Sequence, residues 1–441
     1  MPKPVRRDKT AKTRLQLLLE KLAPPPEEWL TGNRLSTDGL QPLECKSFTS
    51  LVEAWSRAMH WVDDLNTALL VMLAVVASTE RRGDQLWLRC IGRPGCGKTR
   101  LCDALCTNLD FCHPLGQQRG FHSGWKGDGD EDYSLLARAN NKTLVTPEGD
   151  ELLNSPAVGE ILAQGRRVYD GTATSSYLNR KEDRTYSGLR MTWIIAGTSS
   201  LRVLNKSNLG DRFIDIVIEK NDRTVEQDIL DRVAQSAINS LHSASNGEAE
   251  SLMEDTMTKA YQMTGGMVGY LRSEAGSKLD NVHFPPIYAA RCTQLGTFAG
   301  TLRARPDSNL EEEEPEVELP TRLTSQFTRL AGSAAVVLDK PSVDREVMGV
   351  VSKVAHDTCR GITLSIIKHI RDRGPSTIKS MQLRLKKSGV LIGRNLDFMR
   401  EIELVQPNLT KSKRGITGAQ SSQWKLTSFS KELLEGIGEE A

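Results

Sequence analysis

Gly92-Arg93-Pro94-Gly95-Cys96-Gly97-Lys98-Thr99 fits G-x-x-x-x-G-K-[ST], a spacing whose chemistry is polyphosphate binding. Glycines let the backbone turn tightly and aim its N–H groups inward, and a helix beginning at the lysine adds its positive end. Lys98 is placed to neutralise terminal phosphates and the Thr99 hydroxyl to ligate Mg²⁺. Apolar residues Leu86 to Ile91 precede the loop, and Leu101-Cys102-Asp103-Ala104-Leu105 follow it, which is the strand–loop–helix setting the motif needs. The expected nucleotide contacts are Gly92, Pro94, Gly95, Cys96, Gly97, Lys98, Thr99 and Arg100.

A bound triphosphate is hydrolysed only if carboxylates and a water-orienting group stand beside it. Lys142 to Glu151 reads as an apolar strand running into acids. Three acids compete for the Mg²⁺ shell and the attacking water, with Glu148 and Asp150 favoured over Glu151. Trp193-Ile194-Ile195-Ala196-Gly197-Thr198-Ser199 is a buried-strand pattern that ends in small polar residues, so Thr198 falls beside the loop. Asn208 to Asp215 sets Arg212 just before another strand.

These residues must be positioned by a parallel sheet. Strands are expected at Leu86–Ile91, Thr143–Thr146, Met191–Gly197 and Ile214–Ile218, alternating with helical stretches. The 441 residues suffice for two or three domains. We read residues 1–45 as an amino-terminal arm and 46–220 as the α/β nucleotide-binding domain. A helical lid region with an acidic insertion follows over 221–341, and a separate domain over 342–441. The longest apolar run, Ala68 to Ala77, is about half a bilayer span and reads as a buried core helix. With a mean hydropathy of −0.39 and no apolar leader after the basic start, a cytoplasmic protein without membrane contact is expected. Eight cysteines lack any C-x-x-C pair, so Cys102, Cys106 and Cys112 are expected as buried thiols.

The net charge of +2 conceals an uneven distribution. Arg360 to Arg414 carry 13 Lys/Arg against 4 Asp/Glu, which points to a polyanion partner for the tail. Three short helices, the third opening at Gly393, lead to the basic stretch Lys411 to Gly415 and the strand-like Gln423 to Thr427, a winged-helix pattern. Arg394, Asn395 and Arg400 on its third helix suit base edges and phosphates, and Lys411, Lys413 and Arg414 suit backbone or minor-groove contacts. Between a helix and the Thr198 strand, Thr174 to Tyr186 has turn chemistry at its centre, placing Arg180 and Lys181 at a hairpin tip with Tyr177 or Tyr186 available for stacking.

Taken together, the loop, the acid strand, the Thr198 position and Gly210-Asp211-Arg212-Phe213 resemble the AAA+ ATPases. The likeness is to the branch holding minichromosome-maintenance-like helicases and ATPases of phages and integrated elements. Pro320 to Phe327 resembles that family's lid helix, and Arg166 to Gly171 a stretch of its mobile-element members. The resemblance spans roughly 85–430 and implies an AAA+ P-loop core with a helical lid and a carboxy-terminal winged helix. It implies ATP and Mg²⁺ as cofactors, Arg212 as an arginine finger in a neighbour's site, and Arg322 as a γ-phosphate sensor from the same or an adjacent subunit. Thr198 stands where helicase members usually carry Asn. The implied activity is that of a homo-oligomer, a hexameric ring, hydrolysing ATP to translocate on or unwind DNA, with single-stranded DNA in the pore and duplex at the winged helix. A replicative-type helicase of a phage or mobile element, in a bacterial cell or phage-infected host, leads this reading. The alternatives are an ATP-switched initiator or loader without processive unwinding, and a nucleotide-binding scaffold without turnover.

Overall fold

Short runs of Leu, Ile, Val and Trp, each too short for a helix, pair side by side at the centre of the chain. The computed structural model describes residues 39–116, 120–122, 132, 134–175, 183–206, 212–219, 234, 248–304, 317–408 and 423–436. Strands β1 (Trp87–Gly92), β2 (Cys112–Pro114), β3 (Thr143–Thr146), β6 (Thr192–Gly197) and β7 (Phe213–Ile218) form a parallel sheet in the order β2-β3-β6-β1-β7. The four expected strands are present with ends shifted by a residue or so, and β2 is an addition. Strands β1, β6 and β7 are buried throughout, as strands covered by helices on both faces must be.

Two helices, α1 (Phe48–Ala58) and α2 (Asp63–Ala77), precede the sheet, and every residue from Ala68 to Ala77 is buried. That apolar run is a core helix, and no helix among the described residues is long and apolar enough to cross a membrane. Beyond α2, the Thr79 hydroxyl lies 3.0 Å from that of Thr143 and 2.8 Å from that of Thr192, pinning the start of β3 and β6. Trp87, Trp193, Phe213, Tyr169 and Phe121 cluster at that same end of the sheet. The two indoles satisfy their N–H groups on the Met191 carbonyl and the Thr146 hydroxyl.

Helix α3 (Lys98–Leu105) follows the phosphate-loop motif, and α4 (Leu135–Ala139), α5 (Gly149–Leu153) and α6 (Val158–Tyr169) connect the strands. Between α6 and β6, strands β4 (Thr172–Ser175) and β5 (Arg184–Ser187) pair antiparallel, the hairpin read from sequence. Its tip, with Tyr177, Arg180 and Lys181, lies outside the described residues. Tyr186 donates to the Asp132 carboxylate at 2.6 Å and accepts from the Ser134 hydroxyl at 3.0 Å. Its hydroxyl anchors the hairpin base.

Helix α7 (Glu248–Ser273) packs on α1, α2 and α3, and α8 (Pro286–Arg303) packs on α9 (Thr321–Val337), which lies against α2. The acidic run Glu311 to Glu316 lies outside the described residues. Helix α10 (Arg345–Thr358) packs on β7, an edge strand with an unpaired row of backbone groups. The Asp357 carboxylate accepts from Val217 N at 2.8 Å, the Thr358 hydroxyl accepts from Asp215 N at 3.0 Å, and Lys353 Nζ donates to the Val217 carbonyl at 3.2 Å. Side chains thus replace a sixth strand.

The tail comprises α11 (Ile362–Arg373), α12 (Ile378–Leu385), α13 (Gly389–Glu401), an antiparallel pair β8 (Val405–Asn408) and β9 (Gln423–Leu426), and α14 (Ser428–Gly436). Thr377 and Ser388 cap α12 and α13 by accepting from the backbone N–H three residues on. The Ser388 cap starts α13 four residues earlier than Gly393. Ser376 exchanges both backbone hydrogen bonds with Trp424, adding a bridge to the pair.

Candidate functional site

The loop from Gly92 to Thr99 closes at the carboxyl end of β1, where open α/β sheets gather ligands. Gly95 and Gly97 have φ of +79° and +95°, left-handed values that a side chain would strain. A Cβ on Gly97 would also meet Met59 Cε at 2.7 Å. Lys98 opens α3, is 6% exposed, and folds its ammonium back onto the Arg93 carbonyl at 3.0 Å. Pro94 and Gly95 are exposed on the loop's crest, while Cys96 and Arg100 are half-buried.

Strand β6 lies between β3 and β1, so a group on β3 must reach across it to serve the loop. Glu148 does. Its Oε1 accepts from the Thr99 hydroxyl at 3.4 Å. The crossing is possible because Gly149 lies flat on β6, where a Cβ would sit 2.3 Å from Ile195 Cγ2. Asp150 points elsewhere, accepting from Thr198 N at 2.9 Å and from the Thr198 hydroxyl at 3.1 Å, and also from the Ser200 hydroxyl. The two favoured acids therefore divide their work. Glu148 faces Thr99, the Mg²⁺ position of the motif, whereas Asp150 fixes Thr198 and does not approach Thr99. Glu151 is exposed on α5. Ser200, which completes the grip on Thr198, was not singled out in the sequence; its only signal is its spacing two residues beyond Thr198.

Arg212 lies at the other end of the sheet. Residue pairs Trp87↔Phe213 and Gly92↔Ile218 put it at the amino end of β7, a strand length of roughly 20 Å from its own loop. The guanidinium stacks on the Tyr169 ring at 5.4 Å and pairs with Asp170 at 3.4 Å, while its carbonyl accepts from Gln326 Nε2 at 2.8 Å. Asp215 is buried against Arg89 at 2.7 Å on the adjoining strand. Arg322, at the start of α9, pairs with Glu318 at 3.5 Å. Burial pushes the Tyr169 phenol pKa up, and the charges of Arg322, Arg212 and Arg329 all pull it back, so the three arginines share one locality. The structure brings Lys98, Thr99, Glu148, Asp150 and Thr198 together and holds Arg212 and Arg322 apart from them.

Of the tail residues, Arg394 and Arg400 are exposed on α13, Arg400 lying 3.9 Å from Asp397. Asn395 is a correction: it is 2% exposed and spends its amide on the Leu391 carbonyl at 2.8 Å, so it cannot meet a base edge. Lys411, Lys413 and Arg414 lie outside the described residues. All eight cysteines are free thiols, and burial pushes Cys102 well above the usual thiol range and Cys112 up to about 12. No protein-family model matches the chain, and none of the curated proteins matches its sequence.

Proposed function

We propose that this chain is an AAA+-type ATPase that works as a ring-forming homo-oligomer on DNA, in the manner of a helicase motor. One observation carries the reading. A loop-side half-site (Lys98, Thr99, Glu148, Thr198) and an arginine pair (Arg212, Arg322) occupy opposite ends of one sheet, so a second copy is needed to join them.

The residues present fit a Mg²⁺-bound nucleoside triphosphate: left-handed glycines free the loop N–H groups, a buried ammonium closes over them, and a hydroxyl–carboxylate pair stands at the helix start. ATP held there with Mg²⁺ supplies the transferable phosphoryl group and the divalent charge. Lys98 leaves the Arg93 carbonyl to neutralise terminal phosphate. Thr99 and Glu148 would hold the metal's shell, and Glu148 would polarise the attacking water. Thr198, its rotamer locked by Asp150 and Ser200, orients that water. Arg212 and Arg322 stabilise charge in the neighbour's site, Arg212 leaving its contacts with Tyr169 and Asp170 to do so.

The helices α11–α13 with the β8–β9 pair support a winged-helix reading of the tail, and exposed Arg394 and Arg400 suit duplex contact. The β4–β5 hairpin supports a pore loop for single strands. A switching loader is favoured by one observation, that a single acid faces Thr99. ATPase measurement with and without DNA, followed by strand displacement, tests the proposal. DNA-stimulated turnover with displacement supports the motor, turnover without displacement the loader, and no turnover rejects both.

A further inference from the structure

Away from the nucleotide site, α8 and α10 face the tail across an open cleft of about 1710 Å³. That exceeds the roughly 300–1,000 Å³ of small-molecule pockets and suits a polymer segment. Arg291 and Arg345 stand on one wall; Lys368, Arg371, Lys425 and Lys431 stand on the other. Among the described lining residues the acid beside these cations is Glu435. Arg371 shares its charge with the exposed Asp372 at 2.9 Å.

The interior of the cleft senses this charge. His356 packs edge-on against Phe298 at 5.0 Å, and its pKa is lowered to about 4 by burial and by Lys368, Arg291, Arg371 and Lys353. Flat and apolar surface adjoins the cations. Tyr288 is partly exposed and Ile287 is 72% exposed. At Gly349 the floor is open, since a Cβ there would touch nothing within 4 Å.

We propose that this cleft binds a segment of single-stranded nucleic acid, with phosphates on the Lys/Arg walls and a base against Tyr288. A concave basic track with an aromatic face is how single strands are held. Duplex readout instead needs a protruding element that enters the duplex's own groove. The inference shares with the function proposed above a nucleic-acid partner, at a surface distinct from the β4–β5 hairpin. It requires neither ATP hydrolysis nor the Arg394 face.

The test is a salt titration of fluorescein-labelled oligothymidylate binding to the full chain without nucleotide, so its result does not depend on the ATPase reading. Arg345 and Lys431 are exposed, so the double variant Arg345→Ala/Lys431→Ala should keep its fold, checked by a thermal melt. It should bind about tenfold more weakly at low salt, with the salt slope shallower by about 1.4, or 0.7 for each lost phosphate contact. Tyr288→Ala should weaken oligothymidylate about tenfold while leaving inorganic polyphosphate binding unchanged. Unchanged affinity and slope in the folded double variant would overturn the proposal. So would polyglutamate binding as tightly as oligothymidylate, which would assign the cleft to an acidic protein segment.

Discussion

Arg212→Ala separates a shared catalytic site from a local structural contact. Among the described residues its side chain stacks on Tyr169 at 5.4 Å and pairs with half-exposed Asp170 at 3.4 Å. A partly desolvated cation–π contact contributes about 1 kcal/mol and a surface pair about 0–1 kcal/mol, so truncation should cost about 1–2 kcal/mol of stability. If that were its whole role, turnover per folded molecule would not change. A finger acting on a neighbour loses about 10³-fold in turnover while ATP still binds in the intact loop. The roughly 20 Å between Arg212 and its own loop makes rescue possible. In an equal mixture of Arg212→Ala and Lys98→Ala chains, about one interface in four joins an intact loop to an intact arginine. Steady-state ATPase should then recover to as much as about a quarter of wild type per chain, from two variants each nearly inactive. Co-assembled chains with no recovery would refute the shared site.

Lys98→Ala should abolish ATP binding or turnover, read by nucleotide binding and phosphate release, because it removes the charge facing the terminal phosphates. Glu148→Gln should retain ATP and stop hydrolysis, whereas Asp150→Asn should keep partial turnover because its partners are Thr198 and Ser200; the reverse order would exchange the two roles. Arg89→Ala leaves Asp215 buried beside only Arg202 at 3.5 Å, so unfolding in denaturant should show a loss of about 3–5 kcal/mol. The His356 pKa, lowered from 6.5 to about 4, makes the folded state hold fewer protons than the unfolded one between those values. Stability should therefore be full above pH 6.5 and fall by up to roughly 3 kcal/mol as pH drops towards 4, and His356→Gln should flatten that slope in pH-dependent melts.

What could be read from the sequence was what is local. The loop from Gly92 to Thr99 carries its own glycines, lysine and hydroxyl, and Thr192 to Gly197 is apolar enough to name itself a buried strand. Strand β2 is three residues ending in Pro114, and its pairing depends on β3 rather than on any alternation of its own. Glu148 and Asp150 are two residues apart and chemically alike. Which one meets Thr99 depends on a close approach at Gly149 to a strand more than 40 residues away, and no composition encodes that. Arg212 finds Tyr169 and Asp170 across a similar separation, a meeting that its own sequence neighbourhood does not announce. Asn395 shows the same limit on a smaller scale, because helical phase alone did not say which way residue 395 turns.

The clasp on β7 gives the molecule a mechanical property. A strand end joined to the rest of a protein by a loop alone is slack, and displacement at one side is absorbed before it reaches the other. Here Lys353, Asp357 and Thr358 grip the backbone of residues 215 and 217, and Arg202 ties the same helix end to the segment after Thr198 through the Asp357 and Arg360 carbonyls. The helix that enters the tail is thus geared directly to the strand that follows Arg212 and to the turn that follows the nucleotide site. A pull on the tail has no slack to take up before it is felt at both.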